Sequence, residues 1–183
     1  VGFIHIKGKN VTSGYYKNKE ATAAAITEDG WLNTGDIGVF HDNDLYITGR
    51  YKEIIFVNGI NYYPQDIERI IEGIVKTRSQ RIVATGIFNE KLQMDEIVIF
   101  IYYKKDLSPF LPVIKKIRTT VNEEMGIDIS CVIPVKKIPM TTSGKIQRFK
   151  LVENYKEGQY AHIIKEIRDL QEENNQDPSP REE

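Results

Sequence analysis

Cysteine is almost absent from this chain, which has one, Cys131, among 183 residues. A single cysteine excludes an internal disulfide framework and fits a reducing compartment. The chain also lacks any apolar run approaching the roughly 20 residues that a membrane-spanning helix requires, and it shows no secretory signal. These absences predict a cytoplasmic protein without a membrane span.

An excess of charge of either sign is also missing. Lysine and arginine number 25 and aspartate and glutamate 26, so the net charge is -1. A nucleic-acid-binding module normally has a marked basic excess, and this composition argues against one. The three histidines, His5, His41 and His162, lie far apart, with no second metal ligand at a useful spacing. We therefore predict no metal site and no nucleophile–base pair.

The length allows one ordinary domain with a remnant or a tail. The sequence begins at Val1, without an initiator methionine and already inside an alternating apolar run. We therefore expect the chain to be a fragment of a longer protein.

The first fifty residues are typical of a β-rich segment. Strands are predicted over residues 3–6, 37–41 and 45–48, the last two as a hairpin, and a short alanine-rich helix over residues 19–26. Residues 34–36 are expected to form a tight turn where a strand ends. We interpret this section as the C-terminal, β-rich part of a larger domain.

Beyond Lys52 the pattern changes to helices alternating with strands. Apolar residues spaced i, i+3, i+4 and i+7 predict a helix that begins at Pro64, and a second helix is predicted from near Pro109 to Gly126. Strands are predicted over residues 53–57, 81–87, 96–102 and 131–135, with a turn over residues 58–61. This order predicts an α+β lobe with a small three-stranded sheet covered by helices, plus a β-hairpin.

The last part of the chain combines one apolar helical stripe with a polar tail. The stripe consists of Tyr160, Ile163, Ile164, Ile167 and Leu170. It fits equally an ordinary helix packed on its own lobe and a docking helix. Residues from Gln171 onward cannot bury a core and are interpreted as a linker. The predicted boundaries are residues 1–50, 51–155 and 156–183.

Asp36 and Arg50 are side chains suited to binding a nucleotide. A carboxylate can accept hydrogen bonds from two neighbouring hydroxyls, as a ribose diol presents them, although Asp36 could instead cap a turn. A guanidinium is a planar, permanently charged donor suited to oxygen-rich ligands, and an exposed arginine at a strand end is the alternative for Arg50.

Lys145 stands among small residues in a loop that can approach phosphates closely. The loop differs from a Walker A motif, because Pro139 occupies the position of that motif's first glycine and Ile146 the position of its Ser or Thr. Another phosphate-binding role for the Lys145 ammonium is therefore the hypothesis, with a flexible basic loop as the alternative.

Residues 30–36 (Gly-Trp-Leu-Asn-Thr-Gly-Asp), 49–53 (Gly-Arg-Tyr-Lys-Glu) and 139–145 (Pro-Met-Thr-Thr-Ser-Gly-Lys) resemble, in this order, the C-terminal third of an adenylate-forming enzyme. This superfamily includes acyl-CoA synthetases, luciferases, fatty acyl-AMP ligases and nonribosomal peptide synthetase adenylation domains. The resemblance implies a mobile C-terminal lobe over residues 51–155. It also implies an ATP-dependent ligase that forms acyl-AMP from a carboxylic acid, expected to be a fatty acid, and transfers the acyl group to a phosphopantetheine thiol of a carrier protein.

The resemblance implies roles for single residues as well. Asp36 and Arg50, together with Thr34 and Gly35, would bind the nucleotide. Lys145 would be the catalytic residue, contacting the substrate carboxylate and the α-phosphate. The Mg²⁺ that accompanies ATP would be held mainly by phosphates and by a portion upstream of this chain.

Two further assignments concern the transfer step. Lys52 matches the hinge, although a surface lysine is the alternative. Asn58, Gly59 and Asn61 match the segment that lines the phosphopantetheine channel. The sequence Asn-Tyr-Tyr-Pro-Gln-Asp-Ile-Glu over residues 61–68 is more similar to fatty acyl-AMP ligases and to acyl-loading modules of polyketide or nonribosomal assembly lines than to amino-acid-activating members.

Two alternative functions remain open from the sequence. The intact enzyme could use CoA as the acceptor. The chain by itself, which we expect to be inactive without the upstream domain, could instead be a non-catalytic module that docks a carrier protein. The basic residues available for such docking are Lys136, Lys137, Arg148 and Lys150.

Overall fold

The computed structural model describes residues 1–75 and 82–176, and the chain divides into two units, Val1–Ile54 and Ile55–Glu183. The mixed α and β architecture confirms the predicted fold class. The first residue of the strand predicted over residues 81–87 and the linker residues 177–183 lie outside the described residues.

The first unit is a three-stranded antiparallel sheet with one short helix. Its elements are β1 (Gly2–Ile6), α1 (Lys19–Ala25), β2 (Leu32–His41) and β3 (Asp44–Arg50). The strands lie in the order β1-β2-β3. Asp42 and Asn43 join β2 to β3 with φ values of 50° and 66°, which is the backbone of a tight hairpin turn. The predicted hairpin is confirmed.

The predicted turn at residues 34–36 is wrong, because these residues lie inside β2. The β1–β2 register passes from Phe3↔Ile37 to His5↔Asn33, so residues 34–36 form a bulge opposite Ile4. Gly35 has a φ of 75°, a left-handed conformation that glycine adopts without a steric penalty. The strand therefore bends here and continues.

The second unit contains a hairpin, a three-stranded sheet and four helices among its described residues. The elements are β4 (Ile55–Val57), β5 (Ile60–Tyr62), α2 (Pro64–Val75), β6 (Ile82–Asn89), β7 (Met94–Tyr102), α3 (Leu111–Met125), β8 (Ile129–Val135), α4 (Arg148–Lys156) and α5 (Ala161–Gln176). The sheet has the order β6-β7-β8, with β7 antiparallel to β6 and parallel to β8.

Several element boundaries differ from the sequence prediction. Tyr51–Glu53 forms one turn of 3-10 helix, so β4 begins only at Ile55. Ile60 and Asn61 belong to β5, which leaves a two-residue turn at Asn58 and Gly59. A 3-10 turn over Ser108–Phe110 precedes α3, and Gly126 ends that helix as predicted, with a left-handed backbone conformation. Helix α4 was not predicted, and α5 continues beyond Gln171 to Gln176.

Alternating side chains of the central strands pack against helices on both faces of the sheet. On one face Ala84 and Ile99 join Ile67 of α2 and Ile117 of α3 in a buried cluster. On the other face the cluster contains Val83, Val98, Phe100 and Ile133 together with Leu151 of α4. Full burial of an aliphatic side chain contributes about 1.5–3 kcal/mol, so these two clusters hold the unit together.

Helix α5 packs within the second unit. Ile167 is buried in the first cluster, and Ile163 contacts both clusters. Of the two interpretations of the apolar stripe, the structure favours an ordinary packed helix.

Candidate functional site

In the first unit, the β2 bulge and the end of β3 bring Asp36 and Arg50 together. The two residues are paired in the β2–β3 ladder, and Nε of Arg50 donates to Oδ1 of Asp36 over 2.9 Å. Nη2 of Arg50 donates to the carbonyl oxygen of Thr34 over 3.4 Å. The arginine therefore spans the bulge, from the carboxylate to the backbone of the residue two positions earlier.

Side-chain and backbone hydrogen bonds fix the shape of the bulge. The Thr34 hydroxyl donates to the carbonyl of Ile4 over 3.0 Å and accepts the N–H of Asp36 over 3.1 Å. The N–H of Gly35 donates to Oδ1 of Asn33 over 2.9 Å. Thr34 and Gly35 thus set the direction of the Asp36 side chain.

The Asp36–Arg50 pair is accessible to a ligand. The Asp36 side chain is 29% exposed and the Arg50 side chain 61%. The hydrogen bond to Asp36 raises the pKa of Arg50 above its ordinary value, so the guanidinium stays charged. Within the described part of the chain, Oδ2 of Asp36 has no hydrogen-bond partner. This oxygen can accept a hydrogen bond from a hydroxyl group of a bound molecule.

Lys52 lies in the one-turn 3-10 helix that follows β3, and its side chain is exposed. The division between the two units falls two residues later, after Ile54. The predicted hinge residue is therefore at the end of the first unit.

In the second unit, Asn58 and Gly59 form the turn of the β4–β5 hairpin. Their φ values are 50° and 81°, and both residues are exposed, as is Asn61 on β5. Oδ2 of Asp95 on β7 accepts the N–H of Phe56 over 2.8 Å. This hydrogen bond ties β4 to the central sheet and fixes the base of the hairpin.

Lys145 lies in a tight loop between β8 and α4, closed by an isolated bridge between Met140 and Ile146. The N–H of Thr141 donates to the Lys145 carbonyl over 2.8 Å, and the Lys145 N–H donates to the Thr141 hydroxyl over 3.0 Å. Gly144, with a φ of 82°, donates its N–H to the Thr141 carbonyl. These three hydrogen bonds hold the loop backbone around Lys145.

The Lys145 side chain is exposed. Among the residues that the structure describes, none forms a hydrogen bond or an ion pair with its ammonium group. A cation on a hydrogen-bonded loop, without a partner among the described residues, is suited to binding an anionic ligand.

Arg148 is not a surface charge, and the interpretation of this residue as part of a docking face is wrong. Its side chain is only 16% exposed and forms a two-pronged ion pair with Glu68 of α2, Nη1 to Oε1 and Nη2 to Oε2. Oε1 of Glu68 also accepts the N–H of Ala84, and Nη1 of Arg148 donates to the Ala84 carbonyl. Removing one partner of such a buried pair costs about 3–5 kcal/mol.

Sequence reasoning missed Glu68, Ala84 and Asp95. One signal was present for Glu68: it precedes the buried Ile71 by three residues, so a charge lies on the apolar face of α2. A buried charge requires a charged partner, but the sequence does not identify it.

The described helices include none that is both long and apolar enough to cross a membrane. Across residues 1–75 and 82–176, no group of three or more His, Cys, Asp or Glu side chains could hold a metal ion.

Comparison with known proteins places these features in a family. Residues 52–165 match the model of the Disco-interacting protein 2-like AMP domain. The 4-hydroxyphenylalkanoate adenylyltransferase of Mycobacterium tuberculosis strain H37Rv is 30% identical over 181 residues, covering 89% of this chain and 29% of that protein. The long-chain-fatty-acid–AMP ligase FadD26 of the same organism is 34% identical over 176 residues, covering 85% of this chain and 29% of that protein.

A solved structure shows the same relationship. McyG A-PCP complexed with phenylalanyl-adenylate matches 100% of this chain and 29% of that chain, with a TM-score of 0.86 and 31% identity. This chain thus spans about 29% of the length of each of these three proteins. The chain belongs to the Disco-interacting protein 2-like AMP-domain family, within the adenylate-forming superfamily.

Proposed function

We propose that the protein carrying this chain forms acyl-AMP from a carboxylic acid and ATP, and then transfers the acyl group to a phosphopantetheine thiol. In the first step a carboxylate oxygen bonds to the α-phosphorus and pyrophosphate leaves. In the second step the thiolate sulfur bonds to the acyl carbon and AMP leaves. The observation that carries the proposal is the exposed Lys145 side chain on a hydrogen-bonded loop of small residues, in a chain of this family.

Asp36 and Arg50 are proposed to bind the nucleotide. Oδ2 of Asp36, which has no hydrogen-bond partner among the described residues, supplies an acceptor for a ribose hydroxyl, and Arg50 orients the carboxylate through the 2.9 Å hydrogen bond. Hydrogen bonds to a charged group contribute about 1.5–3 kcal/mol each. The Thr34–Ile4 and Gly35–Asn33 bonds keep the carboxylate in place before the nucleotide arrives.

Lys145 is proposed to stabilise the negative charge that develops on the α-phosphate and the attacking carboxylate. An ammonium held on an ordered loop stabilises such charge without first having to be reoriented. Loss of one preorganised donor of this kind lowers a rate by about 10²–10³. Lys145 is the residue for which we propose a catalytic role.

The second step is proposed to use the β4–β5 hairpin. Rotation of the second unit at Lys52 would withdraw Lys145 and present Asn58, Gly59 and Asn61 to the phosphopantetheine arm. Gly59 has no side chain and lies in an exposed turn, so a thin ligand can approach its backbone closely.

The substrate and the acceptor are proposed by similarity. Relatives include a long-chain-fatty-acid–AMP ligase and a 4-hydroxyphenylalkanoate adenylyltransferase, which supports a carboxylic acid, and a fatty acid in particular, as the substrate. The similarity to an A-PCP structure supports a carrier-bound thiol over CoA.

ATP–pyrophosphate exchange by the full-length protein tests the proposal. Lys145→Ala should lower the exchange rate by about 10²–10³. The matched control is Lys150→Ala, which removes another exposed lysine five positions along the chain and should keep the wild-type rate. Exchange that survives Lys145→Ala would instead favour a non-catalytic docking module.

A further inference from the structure

We propose that Glu68 and Arg148 are a positioning pair that holds both functional loops of the second unit against its central sheet. The inference rests on the proposed function, because it assigns these residues to the loops that carry Lys145 and Gly59. Neither residue is proposed to touch the substrate.

Glu68 and Arg148 satisfy the outer edge of the sheet. Among the described strands, β6 lies at the edge of its sheet and pairs with β7 alone, in the order β6-β7-β8. Glu68 accepts the N–H of Ala84 over 2.8 Å, and Arg148 donates to the Ala84 carbonyl over 3.1 Å. The two side chains therefore replace a missing strand at this position and hold each other through two further hydrogen bonds.

The place of each partner in the chain connects the pair to a functional loop. Arg148 is the first residue of α4 and follows Lys145 by three positions. Gln147 donates its N–H to the Pro139 carbonyl over 2.9 Å, so the same backbone also closes the loop. Holding Arg148 on the sheet therefore holds the C-terminal end of the Lys145 loop.

Glu68 has the corresponding place after the hairpin. It lies in the second turn of α2, which begins at Pro64, two residues after β5 ends. The side chains of Glu68 and Arg148 are 10% and 16% exposed, so water screens the pair little. One buried ion pair thus connects the C-terminal end of the Lys145 loop, the start of α2 and the edge strand β6, and holds them in fixed positions relative to one another.

The chemistry of the pair explains why arginine is needed. A guanidinium reaches both carboxylate oxygens and the Ala84 carbonyl at once, because its donors form a planar fork. A lysine in this position keeps the positive charge but has only one donor group to place. Arg148→Lys should therefore loosen the loop while keeping the charge balance.

The test compares three variants in the full-length protein, by enzyme kinetics and by hydrogen exchange. Arg148→Lys and Glu68→Gln should lower kcat of the adenylation half-reaction by about 10–100-fold with little change in KM for ATP, since a small misplacement of a catalytic group is costly. The control Val121→Ala opens the buried core at α3, a helix that carries neither residue of the pair, and should lower Tm while keeping kcat.

Hydrogen exchange separates this inference from the proposed function, because it does not depend on activity. In Arg148→Lys the amides of residues 139–147 should exchange at least about 10-fold faster, corresponding to more frequent local opening, whereas those of β7 should keep their rates. Wild-type exchange of this segment in both pair variants, or a kcat loss equal to that of Val121→Ala, would overturn the inference. If Arg148→Lys does not fold, Glu68→Gln, which keeps an acceptor for Ala84, gives the deciding result.

Discussion

Asp95 and Gly86 are diagonal neighbours on adjacent strands, so close that a methyl group on Gly86 would lie 2.8 Å from the Asp95 carboxylate. Asp95 in turn accepts the Phe56 N–H at the base of the β4–β5 hairpin. The absence of a side chain at Gly86 thus leaves room for the carboxylate that holds the hairpin. This relationship gives the first prediction.

Asp95→Ala should slow acyl transfer to the thiol by about 10-fold and leave acyl-AMP formation near the wild-type rate. The hydrogen bond from the Phe56 N–H to the charged Asp95 carboxylate contributes about 1.5–3 kcal/mol. Because it holds only the hairpin, its loss should affect only the transfer step. Gly86→Ala keeps the carboxylate but displaces it, and should have the same effect. Single-turnover measurement of each half-reaction provides the check, with the exposed Asp106→Ala as control. Equal losses in both half-reactions would contradict the assignment.

Asp36→Asn should weaken nucleotide binding by about 10–100-fold, because the amide cannot replace a charged acceptor. Arg50→Lys should weaken it less, since a lysine keeps the positive charge beside Asp36 and loses only the second contact, to Thr34. Calorimetric titration with AMP measures both effects. Asp44→Asn removes an exposed carboxylate at the start of β3 and is the matched control. Unchanged affinity in Asp36→Asn would argue that the residue only supports the bulge.

Lys52→Pro should keep acyl-AMP formation and lower thiol transfer by about 100-fold or more. Proline fixes φ, so a residue that changes conformation between two steps can no longer do so. Lys52→Ala removes the same side chain but leaves the backbone free, and should retain both steps. Rapid-quench kinetics of acyl transfer distinguish the variants. Normal transfer by Lys52→Pro would show that the residue is only a surface lysine.

Cys131 should contribute to a loss of stability at alkaline pH. Burial raises the pKa of its thiol above the ordinary value, although Arg118 and Arg168 act in the opposite direction. As pH rises, the Cys131 thiol therefore ionises in the unfolded chain before it ionises in the folded chain. The stabilisation is complete below the unfolded pKa of about 8.5 and is lost as pH rises toward the folded pKa. The free energy of unfolding, measured with denaturant from pH 7 to 10, should fall less steeply with pH in Cys131→Ala than in the wild type. Identical slopes in the two proteins would contradict this account.

The sequence predicted the parts of the fold that depend on neighbours along the chain. Ile67 and Ile71 lie on one face of α2 and are both buried, and Gly126 ends α3 as expected. The hairpin at Asn58 and Gly59 follows from residues that tolerate positive φ. Local spacing and backbone preference are enough for these features.

The remaining features depend on distant parts of the chain. The strand containing Gly35 continues because β1 pairs with it on both sides of the bulge. The local sequence pattern indicated the end of a strand at this point. Arg148 pairs with Glu68 across 80 positions of sequence, so its environment could not be inferred from its neighbours. Helix α4 buries fully only Leu151, and its weak apolar periodicity explains why it was not predicted.

Direct detection of acyl-AMP in a single turnover tests the central claim most sharply. Full-length protein in excess over radiolabelled ATP is quenched within one turnover, and labelled acyl-AMP is separated and counted for wild type, Lys145→Ala and Lys150→Ala. The account predicts acyl-AMP in wild type and Lys150→Ala, with formation about 10²–10³ slower in Lys145→Ala. Equal rates in all three proteins would contradict it.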